Sequence, residues 1–238
     1  GAGAATARRI LGRGRGAEAM LAGKCSKLAP FIGDVLGLVS AVADRNGVIV
    51  AEGTQGFGLS LYHGSYPYVT SRDTTAAALC SEIGIPWRLL TEAVLVVRTF
   101  PIRVAGPSGP LESEIDWNTI TKESKSDISI VEYTTVTQRT RRVGRFDSGQ
   151  VRRAILANAP TALALMQVDY LDSTDRGKSE FSQLGITSRT WIERVESDLG
   201  RQFGVISTGP RARDTILRRE FLSNQLYEIM DRARKALT

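Results

Sequence analysis

The chain has 238 residues, 42% of them hydrophobic and 24% charged, with a formal net charge of +6. That is enough apolar material for one large core or two smaller ones, and the composition is not that of a disordered or fibrous chain. No apolar run reaches the ~18 residues of a membrane helix, and no secretory leader is visible.

In chain order, a helix is expected over residues 4–11, followed by a basic turn at 12–16. A second helical region is expected over 17–42, broken near Pro30, because proline removes a backbone donor. Val48-Ile49-Val50-Ala51 is a short β-branched run and reads as a buried strand. Further strands are expected at 93–100, 162–168 and 203–207, with a helix starting at Ala76 behind Thr74-Thr75. Helices are expected at 148–158, from a Thr190/Glu193 capping box to about Leu199, and over 215–237. Residues 105–130 are polar, rich in Gly, Pro, Ser and Lys, and read as a flexible excursion from a single domain spanning 1–238. Near-continuous apolar strands alternating with helices predict an α/β fold. Its central sheet would be largely parallel, with helices on both faces.

In such sheets ligands gather at the carboxyl ends of the strands. The first strand leads into Glu52-Gly53-Thr54-Gln55-Gly56-Phe57-Gly58, where glycines allow close backbone approach and Gln55 carries a donor and an acceptor for a base edge. A glycine-rich turn with a solvated Gln fits the same residues. His63, the one histidine, suits hydrogen-bonding or acid–base work, or a structural role; with no His, Cys or carboxylate cluster beside it, no zinc site is expected. Cys25 and Cys80 are too far apart in sequence for a metal pair and indicate reduced thiols in a cytosolic setting. Tyr68-Val69-Thr70-Ser71-Arg72-Asp73-Thr74-Thr75 could bind phosphate, cap a helix, or do both.

The densest cluster is Thr134-Thr135-Val136-Thr137-Gln138-Arg139-Thr140-Arg141-Arg142, hydroxyls followed by arginines whose forked guanidinium suits carboxylate or phosphate. A nucleic-acid surface competes for these arginines, but no aromatic residue interleaves between Tyr133 and Phe146. Asp169 and Ser207-Thr208-Gly209-Pro210, at strand ends, are candidates to read a base. No Gly-x-x-x-x-Gly-Lys-Ser/Thr loop, Gly-x-Gly-x-x-Gly or Gly-x-Ser-x-Gly occurs, so a triphosphate cradle of those types is absent from these residues.

Five ordered blocks resemble the adenylosuccinate synthetase family. They are Glu52-Gly53-Thr54-Gln55-Gly56 with His63-Gly64-Ser65-Tyr66-Pro67-Tyr68-Val69-Thr70-Ser71 and Thr74-Thr75-Ala76; Phe100-Pro101-Ile102-Arg103-Val104; the run from Val136 to Asp147; Val168-Asp169; and Ser207-Thr208-Gly209-Pro210. The compact form is similar to the short archaeal and phage members. The resemblance implies a P-loop-NTPase-like fold and a carbon–nitrogen ligase joining L-aspartate to a 6-oxopurine monophosphate. A nucleoside triphosphate first phosphorylates the purine 6-oxygen, with Mg2+ as cofactor.

By that resemblance Gln55, Thr70, Arg139 and Arg9 (or Arg8) would contact the monophosphate, with Arg9 reaching across a homodimer. Thr135, Val136, Thr137, Gln138 and Arg139 would hold aspartate. Arg141, Gln167, Asp169, Ser207, Thr208 and Gly209 would bind the triphosphate nucleotide. The family's phosphate loop, catalytic Asp and catalytic His, with the metal ligands, would precede Gly1. A start without Met suggests a processed product or the ordered part of a longer protein. The chain departs from the family at Gln167, where Lys is common, which admits ATP beside GTP. It departs also at Gln138, often Gly, and Thr140, often Arg. Arg98-Thr99-Phe100-Pro101-Ile102-Arg103-Val104-Ala105-Gly106, with Ser71-Arg72-Asp73 and Val168-Asp169-Tyr170-Leu171-Asp172, looks most like the phage-type enzymes, which use dGMP in place of IMP. A cytoplasmic location follows from the same resemblance, with no membrane or nucleic-acid partner.

Overall fold

The computed structural model describes residues 2–16 and 18–237. The chain divides into two compact units, Gly1–Thr91 and Glu92–Thr238. Among the described residues no helix is long and apolar enough to cross a membrane.

In the first unit, α1 (Ala2–Leu11) begins two residues before the expected start. The helix expected over 17–42 is largely absent: residues 18–34 hold only the 3-10 turns Ala22–Lys24 and Ala29–Phe31, while Ala17 lies outside the described residues. Gly23, Pro30 and Gly33 interrupt this stretch and cost it propagation. A regular helix, α2 (Val35–Ala43), forms only after Asp34, whose carboxylate accepts from the Gly37 N–H at 3.0 Å. The strand expected at 48–51 does not form. Val48 and Val50 are 56% and 83% exposed, and β structure needs a paired neighbour that no described segment supplies. The third helix, α3 (Ala76–Ile83), is capped by Thr75 as expected and stops at Gly84, whose φ of 74° ends the helix in the left-handed region.

The second unit carries, in order, β1 (Val94–Arg98), β2 (Ile102–Arg103), β3 (Glu114–Ile115), α4 (Trp117–Glu123), β4 (Arg142–Gly144), α5 (Ser148–Asn158), β5 (Ala162–Met166), α6 (Ile186–Leu199), β6 (Phe203–Ser207), β7 (Thr215–Leu217) and α7 (Asn224–Ala236). The main sheet has the order β1-β5-β6-β7, with β1, β5 and β6 parallel and β7 antiparallel at the edge. The mixed α/β architecture with a mostly parallel central sheet is the one expected. Parallel strands covered by helices read as unbroken apolar runs, which β5 and β6 do. Leu163, Leu165, Phe203, Ile206, Val168 and Ile192 form the core of this sheet. A small antiparallel sheet, β2-β4-β3, extends from it over a second core of Phe100, Trp117, Ile120 and Val143.

Three local expectations are corrected in this unit. The stretch 105–130 includes β3 and α4, and buries Trp117 and Ile120; two apolar residues three apart suffice for a short helix to pack, too few to register as a pattern. The helix assigned to a Thr190 cap is α6, which starts at Ile186 behind Gly185 and leaves Thr190 inside it, since Ser188, Ile192 and Val195 all face inward. The C-terminal run is not one helix: Thr215-Ile216-Leu217 adds to the open edge of β6 and buries Ile216, and α7 starts only after Ser223 caps the Leu226 N–H at 3.1 Å.

Candidate functional site

In the first unit the residues after position 54 form a laced turn. Gln55 adopts φ 64°, rare for a residue with a side chain, and its Oε1 accepts from Thr54 Oγ1 at 3.1 Å. Asp73 organises the neighbouring loop. Its Oδ1 accepts from Ser60 Oγ at 2.7 Å and the Thr74 N–H at 2.8 Å, and its Oδ2 from Thr75 Oγ1 at 2.5 Å. Burial works against the Asp73 charge, but these hydrogen bonds and the field of His63 hold its carboxyl below the usual range.

Ser60, fully buried, accepts in turn from the Tyr62 and His63 N–H groups, both at 3.1 Å. Thr70 donates its N–H to the Leu59 carbonyl at 2.8 Å, and Thr74 Oγ1 donates to the Gly56 carbonyl at 3.2 Å. These bonds bring the Gln55 and Thr70 segments together. Gly64 has to be glycine here, because a Cβ would lie 2.6 Å from the Ser60 carbonyl oxygen. His63 stacks on Phe57 with centroids 5.5 Å apart. Arg72 pairs with Glu82 at 2.7 Å. Arg9 is exposed in the last turn of α1.

In the second unit the hydroxyl–arginine cluster is the tip of a hairpin closed by a bridge between Tyr133 and Thr140. The Gln138 N–H donates to the Thr134 carbonyl at 3.0 Å, and the Gln138 side chain to the Thr135 carbonyl at 2.8 Å, with φ 50° at Gln138. Thr134 and Thr137 share a hydroxyl bond of 2.6 Å, and the Arg139 N–H donates to Thr134 Oγ1. The tip and Val104-Ala105 line an open cleft of about 450 Å3 into which Thr135, Val136, Thr137 and Arg139 contribute. Among the described residues nothing accepts from the Arg139 guanidinium. A free guanidinium beside hydroxyls suits an anion. Arg141 is drawn back, donating its Nε to the Tyr133 carbonyl at 3.1 Å. Arg142 lies outside the cleft and pairs with Glu114 in a two-pronged contact.

The other predicted group sits where β5 and β6 end. Gln167 turns the chain at φ 59°, its carbonyl held by Thr99 Oγ1 at 2.8 Å. With its amide turned to satisfy both ends, it accepts from Arg98 Nη1 at 3.2 Å. Asp169 follows in a buried position. Desolvation pushes its carboxyl up to about 6, against Arg176, whose Nε lies 3.9 Å away, and with added repulsion from Asp214.

From the neighbouring strand, Thr208 donates its N–H to the Asp214 carbonyl at 2.8 Å and its hydroxyl to the Lys178 carbonyl at 2.7 Å, and its own carbonyl accepts from the Gly177 N–H. The segment 176–178 thus touches both Asp169 and Thr208 and joins the two strand ends. Ser207 Oγ donates to the Gly209 carbonyl at 2.9 Å. A Cβ on Gly209 would come within 2.6 Å of Asp214 Oδ2, so a side chain there would displace the Asp214 carboxylate. A smaller cavity of about 180 Å3 opens at Asp169 and Arg176, walled by Ile128 and Ile130. Arg176, Asp214 and Glu132 were not foreseen. Arg176 and Asp214 act on Asp169 from the loops that follow β5 and β6, Glu132 meets the neighbouring Tyr170, and no local spacing marks them.

Among the described residues no three His, Cys, Asp or Glu side chains converge to hold a metal ion. These residues therefore hold no preformed all-protein cage for the Mg2+ that the resemblance implies.

The adenylosuccinate synthetase family model matches residues 17–179. The adenylosuccinate synthetase of Thermococcus onnurineus is 38% identical over 196 residues, 82% of this chain and 56% of that protein. Among solved structures, the fully ligated adenylosuccinate synthetase of Plasmodium falciparum superposes with a TM-score of 0.70 at 22% identity, over 81% of this chain and 55% of that one. The succinoaminodeoxyadenylate synthetase of cyanophage S-2L, bound to dGMP and dATP, superposes with a TM-score of 0.71 at 25% identity, over 98% of this chain and 63% of that one. The chain spans little more than half the length of the relative it matches. The matched residues run through the laced turn, the hairpin and Asp169, and the Thermococcus relative extends the likeness over most of the chain: the chain belongs to the adenylosuccinate synthetase family.

Proposed function

We propose that this chain forms part of a single ligase domain that joins L-aspartate to the 6-position of a 6-oxopurine monophosphate. The observation that carries the reading is the hairpin cleft, with its hydroxyls and free Arg139 guanidinium, on the same unit as the strand ends of Asp169 and Ser207. In this reading the γ-phosphoryl of ATP or GTP passes to the purine O6. The aspartate amine then attacks C6, the C6–O bond breaks, and inorganic phosphate leaves as the C–N bond forms. Thr135, Val136, Thr137, Gln138 and Arg139 hold the aspartate carboxylates. Gln55, Thr70 and Arg139 contact the monophosphate, and Arg9 that of a partner subunit. Gln167, Asp169, Ser207, Thr208 and Gly209 receive the triphosphate's base, with Arg141 turning out toward its phosphates. The described residues hold no preformed cage for Mg2+, which would supply charge neutralisation at the transferring phosphate. A cytoplasmic homodimer is the matching assembly.

The likeness to the cyanophage enzyme over 98% of this chain favours dGMP as the monophosphate, with IMP as the second reading. The test is product formation by the full-length protein with L-aspartate, comparing dGMP with IMP and ATP with GTP. Arg139→Ala should abolish aspartate use. Retained activity would sink the assignment. A steep salt-dependent affinity for DNA, with no thermal shift from any of these nucleotides, would instead favour a nucleic-acid-binding protein.

A further inference from the structure

Glu132 lies outside both ligand groups, yet its carboxylate stands between them. Its Oε1 pairs with the Arg98 guanidinium and accepts from the Tyr170 hydroxyl at 3.2 Å. Arg98 is the last residue of β1, and Tyr170 directly follows Asp169. The Glu132 carbonyl also accepts the Arg141 N–H at 2.8 Å, which makes Glu132 one leg of the hairpin stem. The circuit closes on the other side. Trp117 Nε1 donates to the Arg141 carbonyl at 2.7 Å, and its ring meets Tyr170 edge-on with centroids 6.4 Å apart. The ion pair is partly buried, with side-chain exposures of 27% for Arg98 and 21% for Glu132. Charge-assisted bonds in such surroundings are stronger than neutral ones, and a partner left alone is costly. Because Arg98 and Tyr170 share one oxygen, a shift of the turn carrying Tyr170 has to move Glu132 or break a bond.

We propose that Glu132 is a positioning residue that ties the anion-binding hairpin to the base-reading turn, so that occupancy of one is felt at the other. The inference rests on the assignment of aspartate to the hairpin and of the nucleotide base to the Asp169 turn. Glu132 touches neither ligand. It acts through the Thr135–Arg139 tip on one side and through Tyr170 on the other. An ion pair that only stabilised the fold would show in melting temperature and would leave ligand coupling alone.

The test uses the full-length protein and two variants: Glu132→Gln, which removes the charge at constant size, and Tyr170→Phe, which removes one hydroxyl. L-aspartate affinity is measured by calorimetry with and without saturating ATP or GTP, alongside kcat, the KM for aspartate and the melting temperature. In the unaltered protein the triphosphate should strengthen aspartate binding by about tenfold, a common size for site-to-site coupling. In either variant that gain should fall toward unity, with the aspartate KM raised by a similar factor and kcat held within about twofold. Coupling of unaltered size in Tyr170→Phe would overturn the proposal, as would a loss confined to melting temperature. If Glu132→Gln does not fold, Tyr170→Phe still decides. Failure of the unaltered protein to bind aspartate at all is a different result. It removes the hairpin assignment, and the coupling role of Glu132 with it.

Discussion

Asp169 is a buried carboxyl whose titration is pushed up to about 6, mainly by desolvation. Its effects on stability and on binding have opposite signs. For stability, a raised pKa means the native state holds its proton more tightly than the unfolded chain. The stabilisation is complete below the unfolded value of 3.8 and is lost as pH rises through about 6. A rise of that size corresponds to roughly 3 kcal/mol, so Asp169→Asn should raise the melting temperature at pH 7.5 and change it little at pH 4. For binding, a base that donates N–H groups needs the carboxylate, so affinity for the triphosphate nucleotide should fall as pH drops below 6 and be flat above 7. A pH-independent affinity would remove Asp169 from the base site. Gln55, Gln138 and Gln167 share another residue-scale feature, a left-handed backbone. At Gln138 the strain of about 1 kcal/mol is matched by its bond to the Thr135 carbonyl, also about 1 kcal/mol. Gln138→Gly should therefore leave the melting temperature nearly unchanged while loosening the tip, read as a higher aspartate KM.

At the scale of elements, the laced turn of the first unit depends on one carboxylate. Asp73 binds Ser60, Thr74 and Thr75 and through them fixes the segments bearing Gln55 and Thr70. Its folded pKa is depressed, so its contribution is present above 3.8 and lost as pH falls through the lower folded value. Asp73→Asn should raise the KM for the purine monophosphate while leaving that for aspartate within about twofold, and should flatten the acid limb of the unfolding profile. Thr75 also caps α3, so Thr75→Ala should cost about 1 kcal/mol of helix stability, measured by chemical denaturation. Elements whose own residues determine them were legible beforehand: α5, β6 and the start of α3 stand where capping residues and apolar runs put them. Elements determined by what lies against them were not. Residues 48–51 have strand chemistry and no strand partner, whereas Thr215-Ile216-Leu217 has helical neighbours and becomes a strand because the edge of β6 is open to it.

For the molecule as a whole, burial is uneven. Most buried apolar side chains of the second unit form two clusters, whereas in the first unit Cys80 is the buried apolar residue among those described, and Phe31, Leu36, Leu38 and Val50 are exposed. Amide hydrogen exchange should accordingly be slowest in β5 and β6 and fast through residues 18–34 and 48–54, since local opening follows the density of buried contacts. Uniform protection across both units would contradict this distribution. The linear sequence by itself determined the family, through five ordered blocks, and the α/β class, through unbroken apolar strands: both are properties of residue type and order. Only the tertiary structure decided that Arg139 finds no acceptor among the described residues while Arg141 and Arg142 are drawn into backbone and Glu114 contacts, and that burial, opposed by Arg176 and aided by Asp214, sets the charge of Asp169. Those outcomes depend on groups from separate segments of the chain meeting within a few ångströms, and local spacing carries no information about such meetings.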